Sequence, residues 1–250
     1  MTDLDKLIPP SEPAQDILTT VLSAGVSAFP VGGGAVARVI DGAIAARAAE
    51  RQHAYNVAVV AELNHIAERL DRSLTIADVI RSDEFISALS RTQREAAETA
   101  SETKRARLAR ATVQSGPWSD VRASDRAAFL RLVAKYEDLH VWLLAYFADP
   151  AAWLDAHGLG YVYREGLSEV GAHVAEALGV GMEGSRSTED IPYSVGDALD
   201  DLITDSTMSL VQLDGVVDDP FAPMITPRGR RFLEYLREDS PDHVEAPRDI

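Results

Sequence analysis

The chain has no cysteine. That excludes disulfides, thiolate nucleophiles, thiolate zinc sites and cysteine-held iron–sulfur clusters. Basic residues are also scarce: 24 Lys and Arg face 40 Asp and Glu, a formal net charge of -16. Such a polyanion is repelled by phosphate backbones and anionic lipid unless a local basic patch overrides the total. The shortage is uneven. Between Tyr161 and Pro227 only Arg164 and Arg186 are basic, against a run of acids from Glu165 to Asp219. The opening MTDLDKLIPPSEP lacks the basic start and apolar core of a signal peptide, so a cytoplasmic protein is expected. No Gly-x-Ser-x-Gly, P-loop or His-Glu-x-x-His motif occurs, and neither a catalytic residue nor a cofactor is expected.

What is present is ordinary for a globular protein: 250 residues, 46% hydrophobic and 26% charged. Apolar spacing is helical almost throughout. Residues 1–13 read as a flexible lead. Ile17, Leu18, Val21, Leu22, Val26 and Phe29 share one helical face, and Pro30 to Gly34 break it. A long helix from about Ala35 to Arg72 follows, with Val36, Val39, Ile40, Ala43 and Ile44 as its early stripe and Val59, Leu63, Ile66 and Leu70 as its late one. The pair forms an αα-hairpin. Insertion of this hairpin in a membrane is a competing reading. Its first helix ends at Phe29, short of the ~20 apolar residues a span needs, so burial in a bundle is the expectation. Gly32-Gly33-Gly34-Ala35-Val36-Ala37 fits a dinucleotide-loop pattern, but helix precedes and follows it where strands are required.

Ser82-Asp83 caps a short helix, and Ser90 to Ser115 reads as one polar helix ending at Gly116-Pro117. Arg91, Arg94, Lys104, Arg105, Arg107 and Arg110 make it the most basic segment. It has no aromatic residue to stack a base, so a solvated ion-pair face is expected, not a nucleic-acid stripe. Ser124 to Asp149 reads as a single helix, N-capped by Ser124 and stopped by Asp149-Pro150. A short helix ending at Gly158 comes next, then helices over 167–178 and 195–213. Val216-Val217 and Met224-Ile225-Thr226 look like two short strands, and Pro227 opens the last helix. The tail, 239–250, reads as flexible.

The run LVQLDGVVDDPFAPMITPRGRRFL, Leu210 to Leu233, resembles the entry to the final helix of winged helix-turn-helix regulators. Other stretches resemble a family of uncharacterised bacterial helical proteins: Phe85; Ala97, Thr99, Lys104, Leu108 and Ala111; and Leu139-His140 to Asp149-Pro150. No activity is carried over from that family. The resemblances imply a mainly α fold: an N-terminal helical hairpin and bundle over 14–117, then a degenerate winged-helix-like module over 118–238. That module is led by the 124–149 helix and carries a short β-hairpin. Its core is expected to be Leu199, Leu202, Ile203, Leu210, Val217, Ile225, Phe232 and Leu236.

The electrostatics depart from a DNA reader. The segment in the recognition-helix position carries Asp197, Asp200, Asp201 and Asp205, and the wing tip adds Asp218 and Asp219. DNA contact needs Lys and Arg there. These six carboxylates are therefore candidate partner-binding residues, for a protein partner or a second copy of the chain. Nucleic acid is disfavoured. A di-metal centre is the remaining alternative, because Glu50/His53, Glu62/His65 and Glu137/His140 each place a carboxylate and an imidazole one turn apart. Inward Glu residues to complete the set are missing, so no metal is expected.

Overall fold

The computed structural model describes residues 35–69, 78–79, 81–160, 162, 170–179, 192–209 and 219–236. The 1–13 lead, the first helix of the apolar hairpin, the Gly32–Gly34 turn and the 239–250 tail lie outside the described residues, as do Leu70, Leu210, Val217 and Asp218. The chain divides into two compact units, Met1–Lys135 and Tyr136–Ile250. Both are helical. The helices are α1 (Ala35–Arg69), α2 (Asp83–Glu98), α3 (Glu102–Gln114), α4 (Ala123–Lys135), α5 (Asp138–Ala148), α6 (Pro150–Ala156), α7 (Val170–Leu178), α8 (Tyr193–Thr204) and α9 (Pro227–Leu236). Among the described residues there is no β-strand, only one antiparallel bridge, Met208 to Ile225.

In the first unit α1, α2 and α3 pack on one another, and α4 packs on α2 and α3. Tyr55 and Val59 from α1, Phe85 and Leu89 from α2, and Leu108 and Val113 from α3 are buried at its centre. So are three hydroxyls. The Tyr55 hydroxyl lies 2.6 Å from Thr92 Oγ1 and 2.9 Å from Thr112 Oγ1, and the two threonines are 2.7 Å apart. One hydroxyl from each helix thus ties the three together. Burial pushes the Tyr55 phenol up to about 12, despite the two threonine hydrogen bonds, so it remains a neutral donor.

Ser82 caps α2 as its sequence predicts, accepting from Phe85 N–H at 3.2 Å. The polar helix expected from Ser90 to Ser115 is two helices instead. α2 runs through Ser90 to Glu98, and α3 starts at Glu102 behind an N-cap on Ser101, whose Oγ accepts from Lys104 N–H. The break is held by guanidinium groups: Arg51 donates to the last carbonyls of α2, Ala97 and Glu98, and Arg105 to those of the break itself, Thr99 and Ala100. On α1, Val59 and Ile66 of the late stripe are buried, but Ile44 of the early stripe is 56% exposed.

The 124–149 helix is likewise two. Ser124 lies inside α4, whose first turn starts on the Arg122 carbonyl. α4 ends at Lys135, Glu137 is extended (φ -84°, ψ 174°), and α5 starts at Asp138. The cause is a cap: the Glu137 N–H donates to His140 Nδ1 at 3.2 Å. Apolar residues keep helical spacing across the break, so the pattern conceals it.

In the second unit α5 is the centre, with α6, α8 and α9 packed on it. Every side chain from Val141 to Phe147 is buried, as a helix apolar on all sides requires. Asp149 stops α5 and caps α6: its Oδ1 accepts from Ala152 N–H at 3.0 Å, and Pro150 takes the first helical position. α8 ends at Thr204, not near Leu213. Ser206 takes a left-handed conformation (φ 58°), and the Thr207 and Met208 N–H groups turn back onto the Leu202 carbonyl. Ile225 bridges Met208, and Val216-Val217, the other expected strand, lie outside the described residues. Of the predicted core, Leu199, Leu202, Phe232 and Leu236 are buried, while Ile203 and Ile225 are partly so.

The Ile-Thr-Pro-x-Gly run has a local explanation. Thr226 Oγ1 donates into the Ser206 and Thr207 carbonyls (2.7 and 3.1 Å) and accepts from Gly229 N–H at 3.1 Å. It thus caps α9 and fastens it to the end of α8. Pro227 opens the helix, and Gly229 lets its first turn approach the Thr207 backbone.

Candidate functional site

α8 is amphipathic. Val195, Ala198, Leu199 and Leu202 turn inward. At 100° per residue, Tyr193, Asp197, Asp200 and Thr204 form a row on the opposite side, and all four are exposed. Tyr193 is 96% exposed, the barest large apolar side chain among the described residues. The sequence reading missed it, because residue type says nothing about whether an aromatic ring finds a partner.

The six carboxylates singled out in the sequence separate into groups. Asp197 and Asp200 project to solvent, and among the described residues no side chain engages them. Asp201 and Asp205, on the flank of α8, turn onto the start of the unit. Asp201 Oδ2 is 3.4 Å from His140 Nε2, and Asp205 Oδ2 accepts from the Tyr136 hydroxyl at 3.1 Å. Asp219 is exposed, with Oδ1 accepting from Phe221 N–H in its own turn. Asp218 lies outside the described residues.

The latch at Tyr136 and His140 is built from one stacked pair. Their rings lie 5.1 Å apart and 8° from parallel, with Phe232 edge-on to Tyr136 at 5.5 Å. Because Nδ1 of His140 accepts from Glu137 N–H, its ring proton sits on Nε2, facing Asp201. Burial foremost, with the Asp205 charge beside it, raises the Tyr136 phenol well above its ordinary range, so it serves as a donor. Asp201 and Asp205 thus hold α8 against Tyr136 and α5. The exposed charge of the face rests on Asp197 and Asp200.

Each of the metal-type pairs has a member with another partner. His140 of the Glu137/His140 pair caps its own helix. Glu62 of the second pair accepts from Arg110 Nε at 3.2 Å, and Glu50 of the first pairs with Arg47 at 3.3 Å. Among the described residues no three His, Asp or Glu side chains converge as a metal would need. The basic segment is also absorbed in large part. Lys104, Arg105 and Arg107 are buried, and Arg110 is committed to Glu62, whereas Arg91 and Arg94 stay exposed. Among the described residues no helix is long and apolar enough to cross a membrane.

The most shifted groups lie in an aromatic cluster of the second unit. Trp142 stacks on Tyr146, Trp153 meets both edge-on, and the Tyr146 hydroxyl is hydrogen-bonded to His173 Nδ1. Burial pulls His173 down to about 4, with the Pro220 carbonyl opposing it weakly. That carbonyl is not placed for a proper hydrogen bond, since among the described residues Nε2 of His173 has no partner, like the indole N–H groups of Trp142 and Trp153. Burial also raises the Tyr146 phenol far above its usual range. Tyr146 and His173 have 0% exposure, and burial favours the neutral form of each. A scan against protein-family models and searches of curated proteins and of solved structures found no match to this chain.

Proposed function

We propose that the protein works by non-enzymatic protein–protein contact in a regulatory setting, and that the α8 face of the 136–250 unit docks a basic segment of a protein partner or of a second copy. The observation that carries this reading is the exposed row Tyr193, Asp197 and Asp200. A bare tyrosine offers contact area at small entropic cost and a ring face to Lys or Arg, while two carboxylates beside it select for cations. The degenerate winged helix belongs to this reading: α8, the Met208–Ile225 bridge and α9 follow one another in the order it calls for, and residues 210–218, where its wing would lie, are outside the described residues. In that arrangement α8 takes the recognition position and presents carboxylate where DNA needs cation, so docking of protein replaces DNA reading. The family of uncharacterised bacterial helical proteins and a cytoplasmic setting belong to the same proposal.

The test is a fluorescence titration of the full chain with a labelled Lys/Arg-rich peptide and, separately, with duplex DNA at low salt. Peptide binding that weakens with salt, and is lost in Asp197→Lys/Asp200→Lys without loss of helical signal, is the expected result. Tight duplex binding that disappears on Arg228→Glu/Arg231→Glu would overturn it and restore a DNA-binding reading.

A further inference from the structure

Within the first unit α2 and α4 part to leave a half-open cleft of about 220 Å³. Its walls are two matching helical rows, together with Ser115 at the end of α3. Glu84, Ser87, Ala88 and Arg91 come from α2, and Ala123, Arg126, Ala127 and Leu130 from α4. Each row spans two turns on one face. The cleft exists because alanine stands at three of these positions, where larger side chains would close the helices' contact. Ala88 and Leu130 are buried and make an apolar floor.

Charge is fixed at its edge. Arg126 donates from Nε to the Val121 carbonyl at 2.8 Å and from Nη2 to the Ser119 carbonyl at 3.2 Å. Those bonds immobilise the guanidinium and leave Nη1 uncommitted. Arg91, one of the two exposed arginines of the basic segment, makes no hydrogen bond or ion pair among the described residues. Glu84 accepts from Ser82 Oγ at 3.3 Å and pairs with neither arginine. Two cations against one carboxylate make a locally positive lining in a chain of net charge -16. A guanidinium held in place before its ligand arrives loses little freedom on binding a carboxylate.

We propose that this cleft binds a small organic monocarboxylate with a short apolar tail, its carboxylate on Arg126 and Arg91 and its tail on Ala88, Ala127 and Leu130. The volume is below the usual range for drug-sized ligands, which restricts the occupant to a few heavy atoms. The lining's single excess positive charge suits a monoanion, and Glu84 works against a dianion such as phosphate.

The experiment is titration of the full chain with butyrate, acetate and inorganic phosphate, followed by backbone amide shifts. Butyrate is expected to saturate in the millimolar range, with shifts centred on Ala88, Arg91, Ala127 and Leu130. It should bind roughly tenfold tighter than acetate through its two extra methylenes. Arg91→Ala should weaken it severalfold. Ala127→Leu, at an exposed helical position, should fill the cleft and abolish binding while the melting temperature holds. The absence of saturable butyrate binding would overturn the proposal, as would tighter binding of phosphate or affinity unchanged in both variants.

Discussion

Gly229 faces the Thr207 carbonyl oxygen so closely that a Cβ on it would overlap that backbone atom and Ile225 Cγ1. The opposing atom is backbone, part of the segment that Thr226 fastens, so it cannot swing aside. Gly229→Ala should therefore cost about 1–3 kcal/mol, as overpacking does. Gly196, in α8, is the control: a Cβ there meets nothing within 4 Å. Gly196→Ala should stabilise by about 0.5–1 kcal/mol through helix propensity. Urea unfolding of both variants checks the opposite signs.

His173 makes acid stability predictable in sign. In the folded chain it titrates near 4, below the ordinary 6.5. Between those values the unfolded chain holds a proton that the native one does not, so its contribution is full above about pH 6.5 and falls as pH drops towards 4. The loss is on the order of 3 kcal/mol. Urea midpoints measured across that window should drop less steeply in His173→Gln than in the parent. Equal slopes would show that His173 is not buried neutral.

The three-hydroxyl contact in the first unit should behave as a buried network. Tyr55→Phe removes one member and leaves Thr92 and Thr112, which also donate to the Ala88 and Leu108 carbonyls. The expected cost is about 1–2 kcal/mol. Thr92→Val in the Tyr55→Phe background should add less than it does alone, a non-additivity that a double-mutant cycle measures.

His140→Ala should cost about 1 kcal/mol by removing the cap of α5, and the loss should be the same with and without a chelator. Thermal melts under both conditions, with elemental analysis of the purified protein, provide the check. About two metals per chain, lost in the variant, would favour the di-metal alternative instead.

Local signals in the sequence located the features that close within four residues. Ser82 caps α2, Asp149-Pro150 ends one helix and starts the next, and Thr226-Pro227 opens α9. Each is a side chain bonding to backbone nearby, so neighbours in sequence suffice. The breaks at Ser101 and Glu137 were hidden because helical apolar spacing continues across them. Arg51, far away on α1, holds the first, and a histidine first weighed as a metal ligand caps the second. The candidate site divides in the same way. The sequence determined that α8 is acidic and that its Leu199 and Leu202 side faces inward. Only tertiary structure decided that Asp201 and Asp205 are spent on His140 and Tyr136, that Asp197 and Asp200 remain outward beside a bare Tyr193, and that Lys104, Arg105 and Arg107 are buried. The physical reason is that a charged side chain's fate depends on which donor or acceptor the fold brings within about 3 Å, and those partners come from other helices.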